Sequence, residues 1–93
     1  MIEYLYNTIR ATAGDYVQVT AIITDDEGNE VTEGCEFMLH DCDEKLLMTV
    51  MGEYHDGEMY FNIPAHDLPK GKYFYCICRE GVKLCFHQRL YLV

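Results

Sequence analysis

The sequence predicts an all-β domain, and three observations support that fold class. Apolar and polar residues alternate along several short segments, which is the pattern of strands with one buried face. Clusters of Gly, Pro, Asn and Asp interrupt these segments at short intervals, as turns do in antiparallel sheets. Eight Tyr and four Phe residues, with no Trp, also favour half-buried strands. About seven short antiparallel strands in a single domain, residues 1–93, predict a β-sandwich of immunoglobulin-like type, with a small closed barrel as the alternative.

Each predicted strand has its own pattern. In residues 16–24, for example, the odd-numbered positions from 17 to 23 are all apolar and face one side. The polar segments DDEGNE at 25–30 and HDG at 55–57 provide turns, since Asp, Asn and Gly favour turn conformations. The predicted strands are residues 2–12 (whole or broken), 16–24, 35–41, 46–51, 58–63, 72–79 and 83–92.

The charge balance argues against two classes of partner. Sixteen acidic residues against seven basic residues give a net charge of −9, which repels the phosphates of nucleic acids and anionic membrane surfaces. No apolar run approaches the ~20 residues of a transmembrane helix, and the start of the chain lacks the pattern of a signal peptide. We therefore expect synthesis in a cytoplasm, where the five cysteines stay reduced.

The segment 68–86 (LPKGKYFYCICREGVKLCF) contains three of the five cysteines and predicts the last hairpin. A turn centred on Glu80-Gly81 places apolar residues opposite each other on one face. Because Glu is a poor first residue for a two-residue turn, we expect a four-residue loop. The predicted pairs are Ile77–Leu84, Tyr75–Phe86 and Cys76–Cys85.

This register divides the hairpin into a core face and an outward face. The core face is predicted to consist of Tyr73, Tyr75, Ile77, Leu84, Phe86, Leu90 and Leu92. The outward face, which we expect to be partly exposed, is the candidate interaction face and comprises Phe74, Cys76, Cys78, Cys85 and Tyr91. An extended apolar surface on a soluble domain tends to mark a docking or oligomer contact.

Three cysteines in one hairpin raise the question of a metal or redox site. A structural zinc site takes four Cys or His ligands, usually from close pairs on tight turns. Cys76 and Cys78 stand two positions apart along a strand, too far for easy joint ligation, although Cys85 and His87 would lie near. A Cys76–Cys85 disulfide fits the spacing of opposed strands, but a reducing cytoplasm predicts free thiols. We expect no metal and no cofactor.

No catalytic constellation is evident in the sequence. A nucleophilic site needs a Cys or Ser beside a His that a third group holds in place. The four histidines, at positions 40, 55, 66 and 87, are scattered over different segments, and the acidic pairs fall in loops. We expect a protein with no catalytic residues and no enzymatic activity.

Four segments together resemble the small immunoglobulin-like proteins encoded in phages and prophages of Gram-positive bacteria, which are related to the N-terminal domain of phage baseplate upper proteins. The segments are TIRATAGDYVQVTAIITDDEGN, CEFMLHD, NIPAHDLPKGKYFYCI and the final RLYLV. The matching positions are Gly14-Asp15, Gly28, Leu68, Pro69, Gly71, Tyr73, Tyr75 and Ile77. Two positions depart from the family pattern: Cys76 stands where the family usually has Asp, and Cys78 where a polar residue is common.

The resemblance implies a virion-associated accessory protein of a tail, baseplate or capsid surface that acts through protein–protein contacts. It implies other phage structural proteins as partners, synthesis in the bacterial host cytoplasm and residence in the assembled virion. Homo-oligomerisation is a further expectation for the candidate interaction face. Within the fold, Tyr73 or Tyr75 is expected to anchor the corner before the strand 72–79 through its hydroxyl.

Two other functions stay open from the sequence. One is a carbohydrate- or ligand-binding module built on the same sandwich. The other is a metal- or redox-responsive domain that uses Cys76, Cys78 and Cys85.

Overall fold

The computed structural model describes residues 2–4, 8–85 and 88–93, and it describes side chains from residue 9 onward within those ranges. These residues form short strands joined by turns and loops. The strands are β1 (Ile2–Tyr4), β2 (Thr8–Ala11), β3 (Val17–Ile23), β4 (Cys35–His40), β5 (Leu46–Met51), β6 (Glu53–His55), β7 (Glu58–Ile63), β8 (Gly71–Arg79), β9 (Val82–Lys83) and β10 (Gln88–Leu92).

The described strands pair into two sheets. The first sheet has the order β1-β3-β7-β6, and the second has the order β2-β10-β8-β4-β5, with β9 paired to the end of β8. The neighbours pair antiparallel, except that β10 runs parallel to β2. Two sheets whose inner faces share one core form a β-sandwich of immunoglobulin-like type, which confirms the predicted fold class.

The predicted strands agree closely with the observed ones in the middle of the chain. The predictions 46–51 and 58–63 coincide with β5 and β7, and four ends of β3, β4 and β8 differ from the predicted ends by one residue. Two predictions were incomplete. The short strand β6 was not predicted, and the final strand 83–92 is two strands, β9 and β10, with the break beginning at Leu84.

The core is built by alternating side chains from both inner faces. Three aromatic rings of this core meet across the two sheets. The ring of Phe37 on β4 stacks on Tyr75 of β8 at 4.8 Å between centroids, and it contacts Phe61 of the opposite sheet at 5.7 Å. All three side chains are buried. Offset stacking and tilted packing add to the free energy gained from burying their area.

Gly52 is the single residue that joins β5 in the second sheet to β6 in the first sheet. Its backbone N–H donates to the carbonyl oxygen of Cys35 at 2.9 Å. A Cβ atom at this position would lie 2.6 Å from Sδ of Met59 and 2.8 Å from a ring carbon of Phe61. Because these contacts are shorter than van der Waals separation, only glycine lets the chain change sheets here without moving the core.

The connection from β7 to β8 is fixed by Tyr73. Its hydroxyl donates to the carbonyl oxygen of Pro69, four residues earlier, at 2.6 Å. The ring itself is buried in the core, so the bond ties the loop to the sheet beneath it. This is the tyrosine corner of immunoglobulin-like domains. The sequence left Tyr73 and Tyr75 as alternatives, and the structure assigns the anchor to Tyr73.

The hairpin between β8 and β9 differs from the expected loop. Arg79 pairs directly with Val82, so the loop has two residues rather than four. Glu80 and Gly81 both have positive φ, 51° and 81°, which defines a type I′ turn. The right-handed twist of the paired strands favours this turn strongly enough to hold Glu80 in a conformation that it disfavours. The pairing of Leu84 with Ile77 is confirmed by a 2.7 Å backbone hydrogen bond. The predicted pairing of Tyr75 with Phe86 is wrong, because Tyr75 pairs with Gln88 after the break in the final strand; Phe86 itself lies outside the described residues.

Replacing Tyr73 with Phe should lower the free energy of unfolding by about 1–1.5 kcal/mol, because the variant keeps the ring but loses the bond to Pro69. Urea denaturation followed by circular dichroism measures the change. Tyr16, which is 71% exposed, provides the control, and Tyr16→Phe should stay within about 0.5 kcal/mol of wild type. Equal effects of the two substitutions would contradict the assignment of the corner.

Replacing Glu80 with Asn should raise the free energy of unfolding by up to about 1 kcal/mol, because Asn-Gly is the preferred pair for a type I′ turn. The hairpin between β6 and β7 supplies a matched control, since Asp56-Gly57 adopts the same turn with a residue that already suits it. Asp56→Asn should therefore leave the urea midpoint nearly unchanged. A midpoint that does not rise for Glu80→Asn would refute this explanation of the turn.

Candidate interaction surface

The candidate site lies on the side of the second sheet that points away from the core. Cross-strand partners share a face of a sheet, so the pairing registers decide which side chains belong to it. We call this surface the outer face. It carries Arg10 of β2, Glu36, Met38 and His40 of β4, Met51 of β5, Lys72, Phe74, Cys76 and Cys78 of β8, Lys83 of β9, and Arg89 and Tyr91 of β10.

The structure corrects the expectation that Cys76 and Cys78 are partly exposed. Both point outward as the alternation predicts, but they are only 4% and 6% exposed. Strand β8 lies in the interior of its sheet, with β4 on one side and β9 and β10 on the other. Side chains of the neighbouring strands therefore cover the two cysteines. Their burial also makes them poor members of a contact surface.

The two cysteine thiols contact each other and a thioether. Sγ of Cys76 lies 3.9 Å from Sγ of Cys78, and the thiol of Cys78 lies 3.6 Å from Sδ of Met38 on the neighbouring strand. Burial, followed by the effect of the neighbouring Cys78, raises the pKa of the Cys76 thiol to about 11. The thiol of Cys76 is therefore protonated at neutral pH.

Cys85 does not belong to the outer face. Its side chain packs against the core, and its sulfur accepts a 3.3 Å hydrogen bond from the backbone N–H of Ile77. The alternation of the final strand failed to predict this position because the regular ladder of the hairpin stops after Lys83. Among the described residues, no group of three or more Cys, His, Asp or Glu side chains could hold a metal ion, so Cys76, Cys78 and Cys85 do not form a ligand set.

Phe74 and Tyr91 lie on the outer face, and both are half-buried. A cation is placed over each ring. Nζ of Lys72 lies 5.1 Å from the centroid of Phe74, and the guanidinium carbon of Arg10 lies 5.0 Å from the centroid of Tyr91. Both distances are within the range of cation–π attraction. The two rings and their cations form a surface of mixed aromatic and positive character.

The outer face has the opposite charge to the rest of the protein. Four of the seven basic residues lie on it, at Arg10, Lys72, Lys83 and Arg89, and all four are exposed. Glu36 is the one acidic residue within the described strands of this sheet, so the other fifteen carboxylates lie elsewhere in the sequence. The protein therefore has a locally positive surface although its net charge is −9.

Sequence reasoning missed the basic residues of this surface. Their signal is present, because Lys72 and Arg89 fall on the outward positions of their strands. The missing information was the strand order, since Arg10 reaches the surface only because β2 pairs with β10.

A shallow cleft lies between the loop after β3 and the β8–β9 turn. It encloses about 250 Å³ and is lined by Asp25, Asp26, Arg79 and Glu80, among others. Small-molecule sites usually occupy ~300–1,000 Å³ and are mainly apolar. The cleft is smaller and more polar than such sites, so it gives no reason to expect a bound ligand.

Among the described residues, no helix is long and apolar enough to span a membrane.

Comparison with known proteins gives structural neighbours but no sequence family. No family model and no curated protein matches the chain. The crystal structure of the Lin-41 filamin domain matches with a TM-score of 0.66 and 11% identity, over 100% of this chain and 90% of that one. Native E. coli alpha-2-macroglobulin, solved by cryo-electron microscopy, matches with a TM-score of 0.59 and 16% identity over 94% of this chain, which spans only 6% of its length. At these identities the likeness shows the immunoglobulin-like fold alone.

Alkylation of the native protein with iodoacetamide at pH 8 should modify Cys42 first and leave Cys76 almost untouched. Cys42 is exposed, whereas Cys76 is buried and, with its pKa raised to about 11, has roughly one thiol in 1,000 ionised at this pH. Cys35 should also be slow, because burial raises its pKa. Peptide mass spectrometry over time measures the order, with denatured protein as the control in which all five react. Fast native modification of Cys76 would contradict its burial.

Proposed function

We propose that this chain is a non-enzymatic, virion-associated accessory protein of a phage or prophage, which docks through its outer face onto an acidic surface of another virion protein. It is made in the cytoplasm of the bacterial host and incorporated into a tail, baseplate or capsid surface. The observation that carries the docking mode is the concentration of four exposed cations and two aromatic rings on one sheet face of an acidic protein.

The phage assignment is supported by the residues that carry the resemblance, several of which have defined structural roles. Gly14 has a φ of 96° in the turn before β3, where Asp15 N–H bonds back to Thr12. Pro69 and Tyr73 form the corner that precedes β8. These residues fix the turn before β3 and the corner before β8, and an accessory module that presents a surface needs such fixed connections between its strands.

The charge of the outer face determines which kind of partner suits it. Two copies of this face placed against each other would bring Arg10, Lys72 and Arg89 towards the same cations of the second copy, which disfavours a symmetric dimer through this surface. An acidic partner surface would instead be attracted before contact and oriented during docking. Phe74 and Tyr91 would then supply the apolar centre of the contact, where aromatic residues contribute most to binding.

Purified particles from cells that encode the chain provide the direct test. Quantitative mass spectrometry should find the chain in the particles at a fixed ratio to a major structural protein. Cross-linking through Lys72 and Lys83 should join it to an acidic region of one particle protein. Particles that form normally and never contain the chain would refute the virion role.

The docking surface is tested by reversing charges in two matched variants. Lys72→Glu combined with Arg89→Glu should remove most of the chain from particles, because it replaces two cations of the outer face with anions. Lys45→Glu combined with Lys70→Glu changes the total charge equally at exposed positions outside that face and should leave incorporation unchanged. Equal losses in the two variants would show that overall charge, not this surface, governs assembly.

A further inference from the structure

We infer that Met38, Cys76 and Cys78 form a binding site for a single soft monovalent metal ion, with Cu(I) as the biological candidate. The site lies beneath the outer face, at the boundary between β4 and β8. Met38 pairs directly with Cys76 across the two strands, and Cys78 follows on the same face of β8. This inference is independent of the proposed docking function, which depends on the cations and rings around the site.

The separations of Cys78 Sγ from the other two sulfur atoms fit ligation of one metal ion. A metal–sulfur bond is ~2.3 Å, so three sulfurs arranged around an ion in a plane stand roughly 4.0 Å apart. The two measured separations are 3.9 Å, from Cys76 Sγ to Cys78 Sγ, and 3.6 Å, from Cys78 Sγ to Met38 Sδ. Each is within a few tenths of an ångström of the required value. Two of the three sulfur–sulfur separations that the site needs are therefore present before the metal binds.

This geometry also revises the objection to joint ligation of Cys76 and Cys78. Residues two apart on a strand have distant Cβ atoms, but here the side chains lean towards each other and the sulfurs are in contact. Strand β8 is covered on both sides by its neighbours, which limits the conformations open to these side chains. The two thiols are therefore held together rather than splayed apart.

The chemistry of the three ligands selects the type of metal. Thiolates and thioethers are soft ligands that favour Cu(I), whereas a thioether is a poor ligand for zinc or for hard cations such as Mg²⁺ and Ca²⁺. A structural zinc site would need four nitrogen, sulfur or oxygen donors. The part of the chain that the structure describes offers no cluster of three or more Cys, His, Asp or Glu, so a zinc site of the usual kind is not present there.

Binding must displace protons, because both cysteines are thiols in the free protein. Each Cys loses one proton and forms one metal–sulfur bond, while Met38 contributes a neutral sulfur. A monovalent ion with two thiolates leaves a site charge of −1 and releases two protons. Charged and titratable side chains on the strands beside the pair are Glu36 and His40 of β4, Lys83 of β9 and Arg89 of β10. Lys83 pairs with Cys78 and lowers the pKa of Cys76, so its cation stabilises the negative site.

The competing explanation is that the sulfurs are simply packed. Cysteine and methionine both fill buried space well, and Met38 could serve only to cover the two thiols. Packing alone predicts weak, unsaturable metal binding and no special role for Met38 beyond its volume. A titration with variants of each ligand distinguishes the two explanations.

The experiment is an anaerobic titration of the reduced full chain with Cu(I), in competition with a colorimetric Cu(I) chelator. Wild type should bind one equivalent and release two protons per ion. Cys76→Ala should abolish this binding, and Met38→Leu, which preserves volume, should weaken it at least about tenfold. Cys42→Ala removes an exposed thiol outside the site and should leave it unchanged.

Several outcomes would overturn the site. These are no binding in wild type, one-equivalent binding that survives in Cys76→Ala, or binding lost in Cys42→Ala. If Cys76→Ala does not fold, as judged by circular dichroism, X-ray absorption of the wild-type protein decides the matter. Coordination by three sulfurs supports the proposal, and coordination by nitrogen or oxygen refutes it.

Discussion

From Tyr75 to Cys78, four consecutive side chains of strand β8 are buried, although successive residues of a strand point to opposite sides. Tyr75 and Ile77 face the core between the sheets, and Cys76 and Cys78 face outward. A strand is buried on both sides only if neighbouring strands flank it and side chains cover its outer surface as well. Strand β8 therefore contributes side chains to the core, to the corner at Tyr73 and to the outer face, and all three depend on its position between its neighbours.

The fold was largely predictable because alternation depends only on local sequence. Each inner face, such as the one carrying Phe37 and Phe61, follows from the two-residue period of a strand. The errors occur where the period is interrupted or where distant strands decide the outcome. The final strand breaks after Lys83, which places Cys85 against the core, and the turn at Glu80 takes its form from the twist of the sheet.

Much less of the candidate surface could be predicted. Phe74 and Tyr91 were found by their outward positions, but the burial of Cys76 depends on which strands lie beside β8. Likewise the cations Arg10 and Lys72 are far apart in sequence and share a surface only through the order β2-β10-β8. Composition gives the net charge, −9. It contains no information on how the strand order places basic residues on one sheet face and acidic residues elsewhere.

The parallel pairing of β2 with β10 has a mechanical consequence. Four residue pairs join these strands. Two backbone hydrogen bonds extend the contact: Val93 N–H donates to the carbonyl oxygen of Ala11, and Ala13 N–H donates to the carbonyl oxygen of Val93. Tension that enters at the start of β2 and leaves at the end of β10 pulls two strands of the same direction past each other. The bridging hydrogen bonds are then loaded together in shear instead of opening one after another. The contact between β2 and β10 therefore resists a pull applied between these two points.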